Sequence, residues 1–167
     1  MVEWLGMPGD AFDPADADLP LAASFAGWAM SDEVARRIAA DGYDDVRFAD
    51  GVVFQHLIGG PLAVGELAER LGVSQQAASK SLADLARRGY VRRESDPADA
   101  RLRRARLTDR AEGAIAAGRT HRAALAAELA ERLGPRRVES ARRLLLDVLT
   151  DLGADAAIRG RRVRPPR

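Results

Sequence analysis

Between Ser74 and Leu85 the chain carries side chains suited to reading another molecule's hydrogen-bonding edges: Gln75, Gln76, Ser79 and Lys80. A Gln amide sets a donor beside an acceptor and can bond adenine through both. Lys reaches the acceptors of guanine, and Ser bonds bases or phosphates. Ala78, Leu82 and Leu85, spaced four and three apart, would make the inward stripe of one helix and leave the polar residues on its opposite face. A polar helix face is by itself what any solvated helix shows, so its neighbours decide the reading. Residues 74–108 hold 9 basic and 4 acidic side chains, the charge footprint of a phosphate-binding surface.

Other chemistries find little support. The chain has no Cys, which excludes disulfides, thiolate metal ligands, a cysteine nucleophile and a thiol sensor. His56 and His121 stand alone without ligand partners in sequence, so no metal site is expected. There is no Gly-rich phosphate loop, and the carboxylates form no recognisable acid/base pair. The expectation is a protein that is not an enzyme and has no cofactor.

The net charge of +1 is a cancellation. Residues 1–60 hold 3 basic and 11 acidic side chains, a net −8, and residues 61–167 hold 23 and 14, a net +9. Such segregation suggests one end made for an anion. Of the basic residues 25 are Arg and one is Lys80, a bias of composition more than of function. No apolar run approaches the roughly 20 residues of a membrane span, and the N-terminus is acidic where a signal peptide would be basic. A soluble, cytoplasmic protein without a membrane partner is expected.

The elements that must position the polar face follow from periodicity and punctuation. Residues 1–18 mix Pro, Gly and five acidic side chains without a period and read as a flexible acidic arm. A helix is expected from Leu19 to Ala40, with Phe25, Trp28 and Met30 near the stripe of Val34 and Ile38, and Gly42 as a stop. A second runs from Val46 to Ile58 before Gly59-Gly60-Pro61, although Val52-Val53-Phe54 alone could be a strand. Residues 65–73, GELAERLGV, predict a short helix closed by Gly72, and Ser74 then caps the helix that carries Gln75 to Lys80. Tyr90–Glu94 and Leu102–Thr108 flank the turn-forming residues 95–100 and read as a β-hairpin. After Thr108 an Ala-rich helix extends to Leu133. A last one, from Pro135 to Leu152, places Val138, Ala141, Leu145, Val148 and Leu152 in a seam that calls for a partner helix. The tail Arg159–Arg167, with five Arg and two Pro in nine residues, reads as disordered.

Helix, tight turn, helix and hairpin in this order are what a winged helix-turn-helix requires: one helix braces, the next lies in the DNA major groove, and the hairpin reaches the neighbouring minor groove or backbone. Residues 61–108, PLAVGELAERLGVSQQAASKSLADLARRGYVRRESDPADARLRRARLT, closely resemble the DNA-binding core of the multiple-antibiotic-resistance regulator (MarR) family. ELAERLGVS, QQAASKSLADL, RRGYVRRESDPADAR and the closing LTDRA recur at the right mutual spacing, and flanking helices extend the resemblance over roughly residues 20–153.

The resemblance implies a mainly α fold with a small β-hairpin wing. It implies a single MarR-like domain at 19–158, with the core at 61–108 and dimerisation helices at 19–58 and 109–153. It also implies a homodimer on a palindromic operator in double-stranded DNA, acting as a repressor of a nearby promoter. Gln75, Gln76, Ser79 and Lys80 match the recognition helix, and Asp99-Ala100-Arg101 matches the Asp-x-Arg wing motif, in which Arg101 enters the minor groove and Asp99 fixes its geometry. Arg103 is a further candidate DNA contact, although Arg103, Arg104 and Arg106 are all equally readable as bystanders because alternate strand residues face opposite ways. Arg87, Arg88, Arg92 and Arg93 would touch phosphate or simply solubilise the edge. Trp28, Phe54 and His56 are candidates for a pocket taking a small aromatic ligand, although core packing is the commoner use of Trp28 and Phe54. A second class stays open at this level: a helical protein-interaction module with only non-specific DNA binding.

Overall fold

The computed structural model describes residues 13–96 and 102–154. The helices begin and end within about two residues of the expected bounds. Helix α1 covers Leu19–Ala40, with the Asp18 carboxylate accepting from the Leu21 N–H at 2.9 Å, and Gly42 (φ 93°) turns the chain after it. Helix α2, Phe48–Leu57, starts two residues later than expected. The cause is local: Val46 N–H bonds back to the Tyr43 carbonyl, Arg47 is extended, and Asp50 accepts from the Arg47 N–H at 2.8 Å, which sets the helix start there. Val52-Val53-Phe54 is helical and not a strand.

Strand β1 (Leu62–Ala63) leads into α3 (Val64–Leu71), and Gly72 in the left-handed conformation (φ 59°) ends that helix. Helix α4 (Gln75–Arg87) follows, then β2 (Val91–Ser95), β3 (Arg103–Leu107), α5 (Asp109–Leu133, capped by Thr108) and α6 (Pro135–Asp151, with Pro in its first turn). The antiparallel sheet has the order β1-β3-β2, in register Leu62↔Ala105 and Val91↔Leu107. The strand pair was expected; β1, two residues long, is too short to show alternation in sequence.

The chain divides into two compact units, one ending at Glu33 and the other beginning at Val34. In the first, a 3-10 turn at Pro14–Asp16 precedes the start of α1, and Phe25 meets Trp28 edge to face at 5.5 Å. Phe25, Trp28 and Met30, which could share a stripe with Val34 and Ile38, are all exposed. In the second, Val53, Phe54 and Leu57 of α2 join Leu67, Leu82, Leu85, Tyr90, Leu107 and Ala111 in one buried core. Helix α6 contributes none of its residues to a core, and Leu144, Leu145 and Leu146 are all exposed. The rest of the acidic arm, the wing tip at 97–101 and the Arg-rich tail lie outside the described residues. Among the described residues no helix is long and apolar enough to cross a membrane.

Candidate nucleic-acid interface

Helix α4 separates its two faces sharply. Ala78, Leu82 and Leu85 are 1% exposed or less, and they anchor it to the core. On the other side Gln75, Gln76 and Lys80 are exposed and Ser79 is half-buried, so the four residues picked from sequence share one surface. Ser74 holds the helix start, its hydroxyl accepting from the Ala77 N–H at 3.1 Å.

In the wing, strand alternation divides the arginines. Arg103 is exposed and makes no ion pair among the described residues. Arg104 turns inward instead. It pairs with the buried Asp96 and with Glu66 at 3.0 Å, and donates to the Pro61 carbonyl at 3.3 Å. Glu66 meanwhile accepts from the Ala63 N–H at 2.7 Å, so Arg104 ties the base of the wing to the start of α3. The Asp96 hydrogen bond, with partial opposition from desolvation, raises the Arg104 pKa further. Arg106 lies on Glu94 at 2.9 Å. Asp99 and Arg101 fall outside the described residues.

At the far end of α4 the structure corrects the reading of Arg88. This side chain neither faces phosphate nor solubilises an edge. It forks onto the buried Asp50 at 2.7 and 2.8 Å, bonds Asp84 at 2.7 Å and donates to the Asp45 carbonyl at 2.7 Å. The Asp50 hydrogen bond raises its pKa most, against the opposing effect of desolvation. Asp84, read from sequence only as part of a polar face, receives Arg87 as well as Arg88, and Arg47 at 3.5 Å. Next to it, Tyr90 donates its hydroxyl to Asp45, which also takes Arg110 at 3.2 Å. The Tyr90 bond holds the Asp45 carboxyl below the ordinary range although desolvation pulls it upward. The Arg110 guanidinium lies 4.8 Å from the Tyr90 ring centre and 5.9 Å from that of Tyr43.

Two of these residues were visible only through an oddity. Gly113 and Gly118 stand inside α5, where each costs about 1 kcal/mol relative to Ala. A Cβ at Gly113 would collide with the Tyr43 hydroxyl, whereas one at Gly118 would only come into ordinary contact with Ile38 at 3.4 Å. Glycine inside a helix was the available signal that α1 and the following loop approach α5 closely.

The pocket candidates separate. Phe54 and His56 are buried in α2, Phe54 stacking at a tilt against Tyr90 with ring centres 5.6 Å apart, whereas Trp28 is exposed in the other unit. A cavity of about 300 Å³ opens beside the end of α2, lined by Leu57, Ile58, Leu107 and Ile115 together with Arg106 and Arg119. None of the three candidates lines it. Among the described residues no group of three or more His, Asp or Glu is placed to hold a metal ion.

A brace helix, a helix whose polar face stands on a leucine underside, and a wing whose base is pinned to the brace define a winged helix-turn-helix protein. Residues 46–102, about a third of the chain, match the model of the MarR family. No curated protein matches the chain. Among solved structures it is similar to the YusO protein from Bacillus subtilis, with 21% identity and a TM-score of 0.64 over 84% of this chain and 99% of that one. A MarR family protein from Bacillus stearothermophilus gives 20% identity and a TM-score of 0.62 over 86% and 99%. A mutant of S. aureus MepR bound to an oligodeoxyribonucleotide gives 18% and 0.59 over 82% and 99%.

Proposed function

We propose that the protein is a sequence-specific, DNA-binding transcriptional regulator that works as a homodimer on a palindromic operator and represses a nearby promoter. The observation that carries this reading is the state of α4: Gln75, Gln76, Ser79 and Lys80 share its open face, while Arg88, Arg104 and Arg106 are occupied by carboxylates. Polar groups not consumed by the fold are those available for base edges and phosphates. The oligonucleotide bound by the structurally similar MepR mutant supports the same use of the fold. In a dimer the two α4 helices would sit one DNA turn apart, roughly 34–36 Å. The wing, with Arg103 on its strand and with Asp99 and Arg101 matching the family's wing motif, would add minor-groove contacts.

Self-association is supported by the apolar residues that α6 and the first unit leave exposed, Leu144, Leu145 and Leu146 in one and Leu19, Phe25 and Trp28 in the other. Release by a small aromatic ligand is the further part of this reading, and the cavity of about 300 Å³ beside α2, lined by aliphatic side chains and two arginines, is where such a molecule would be sought. A ligand there would act only through unequal affinity for the DNA-competent and incompetent arrangements.

The test is selection of bound genomic fragments followed by an anisotropy titration on the recovered operator. Lys80→Glu and, separately, Arg101→Ala should each weaken operator binding by at least tenfold at ~0.1 M salt with the circular dichroism unchanged. Binding that falls steeply with salt yet shows no preference for the recovered sequence over random DNA would instead establish the non-specific interaction module.

A further inference from the structure

A recognition helix needs its N-terminal residues free, so its attitude has to be fixed from elsewhere. In this chain it is held from its C-terminal end. The loop between α1 and α2 supplies Tyr43 and Asp45, the start of α2 supplies Asp50, and the end of α4 with β2 supplies Asp84, Arg88 and Tyr90. Arg88 joins Asp50 and Asp84 to the Asp45 carbonyl, and the Asp45 carboxylate with the Tyr43 and Tyr90 rings meets Arg110 in the first turn of α5. Each link is short and directional. Arg88 makes a two-pronged contact to Asp50 at 2.7 and 2.8 Å while bonding the Asp45 carbonyl, and Asp45 passes the connection to Arg110 at 3.2 Å. The Arg110 guanidinium reaches both rings, at 4.8 Å from the Tyr90 centre and 5.9 Å from that of Tyr43, and Gly113 one turn further along α5 admits the Tyr43 hydroxyl. A planar guanidinium forked onto Asp50 and a second one shared by Asp45 and two tyrosine rings are directional contacts with little room to slide. They hold one arrangement or break.

We propose that Arg88 and Arg110 are positioning residues that fix α4 against α5, and through α5 set the half-site spacing that the dimer accepts. The inference rests on the DNA-reading function proposed above. The geometry follows from the path of the chain: α5 leaves the winged lobe toward α6, whose exposed leucines are the surface offered to a partner copy, so any rotation of α4 against α5 changes the separation of two α4 helices across a dimer. Neither arginine belongs to the face that would touch bases, and their work would be done through α4.

The experiment uses the full chain and three labelled duplexes: the selected operator, and the same operator with one base pair added or removed at its centre, with random DNA of equal length as reference. Arg88→Lys and Arg110→Lys each keep the positive charge and lose the planar fork. The expected result is a wild type that loses at least tenfold in affinity on either spacing change. Each variant should lose less than about threefold, with random-DNA affinity and salt slope unchanged. A merely structural role would lower the folded fraction and weaken every duplex alike, leaving the spacing ratio at its wild-type value, and that result overturns the proposal. Should Arg88→Lys fail to fold, Arg110→Lys, whose side chain is half exposed, decides alone. A wild type that prefers the operator over random DNA but tolerates both spacings equally would also sink the inference while sparing the function; one without any preference for the operator would sink both.

Discussion

The winged lobe and helix α6 use leucine in opposite ways. In the lobe, Leu67, Leu82 and Leu85 are fully buried, packed with Phe54 and Tyr90 among residues that come from α2, α3, α4 and the sheet. In α6, which is longer than α4, Leu144, Leu145 and Leu146 are all 40% exposed or more, and no side chain is buried. The lobe therefore closes its own core, while α6 presents apolar surface that only a further surface can remove from water. A leucine pattern in sequence shows that a face will be buried; it does not show whether the same chain supplies the cover.

The largest effect should come from attacking the closed side. Leu82→Ala removes three carbons from a fully buried site between α4 and the core, and should lower the unfolding free energy by about 2–5 kcal/mol, read from urea melts. A loss below about 1 kcal/mol would mean that the lobe is looser than its packing indicates. The open side should respond differently. On the proposed homodimer, Leu145→Glu places a charge in the α6 contact and should raise the dimer dissociation constant about a hundredfold, roughly 2.7 kcal/mol, while the lobe core keeps its packing. Sedimentation over a concentration series reads this directly, and an unchanged association would assign the cover of α6 to something other than a second copy.

The same contrast explains what the sequence revealed. Helix α1 ends at the turn that Gly42 marks and α5 begins where Thr108 marks it, because caps and left-handed glycines act through neighbours a few residues away. The polar face of α4 was legible for the same reason, since one period places all four residues. The carboxylate partners of Arg88 and Arg104 were not. Arg88 reaches Asp50 across 38 residues and Arg104 reaches Glu66 across the same distance, and an Arg in a basic stretch looks alike whether it meets phosphate or a distant Asp. The exposure of Phe25, Trp28 and Met30 was equally hidden, because periodicity fixes a stripe but not what lies over it.

The smallest effect separates fold from recognition at a single residue. Ser74 belongs to both: its hydroxyl caps α4 through the Ala77 N–H at 3.1 Å, and it stands at the helix end beside Gln75 and Gln76. Ser74→Ala leaves that N–H without its cap and should cost about 1 kcal/mol of stability. Ser74→Asp restores an acceptor of the same reach and complements the helix dipole, so stability should return to within a few tenths of a kcal/mol of the wild type. DNA should distinguish the two in the reverse order. The alanine variant keeps the local charge, whereas the aspartate sets a negative charge where phosphate would approach, and each unit of charge at about 4 Å is worth roughly 1 kcal/mol even in water. The melting temperature should therefore rank Asp above Ala while operator affinity ranks Ala above Asp. If both measurements rank the variants in one order, the N-terminus of α4 does not face DNA.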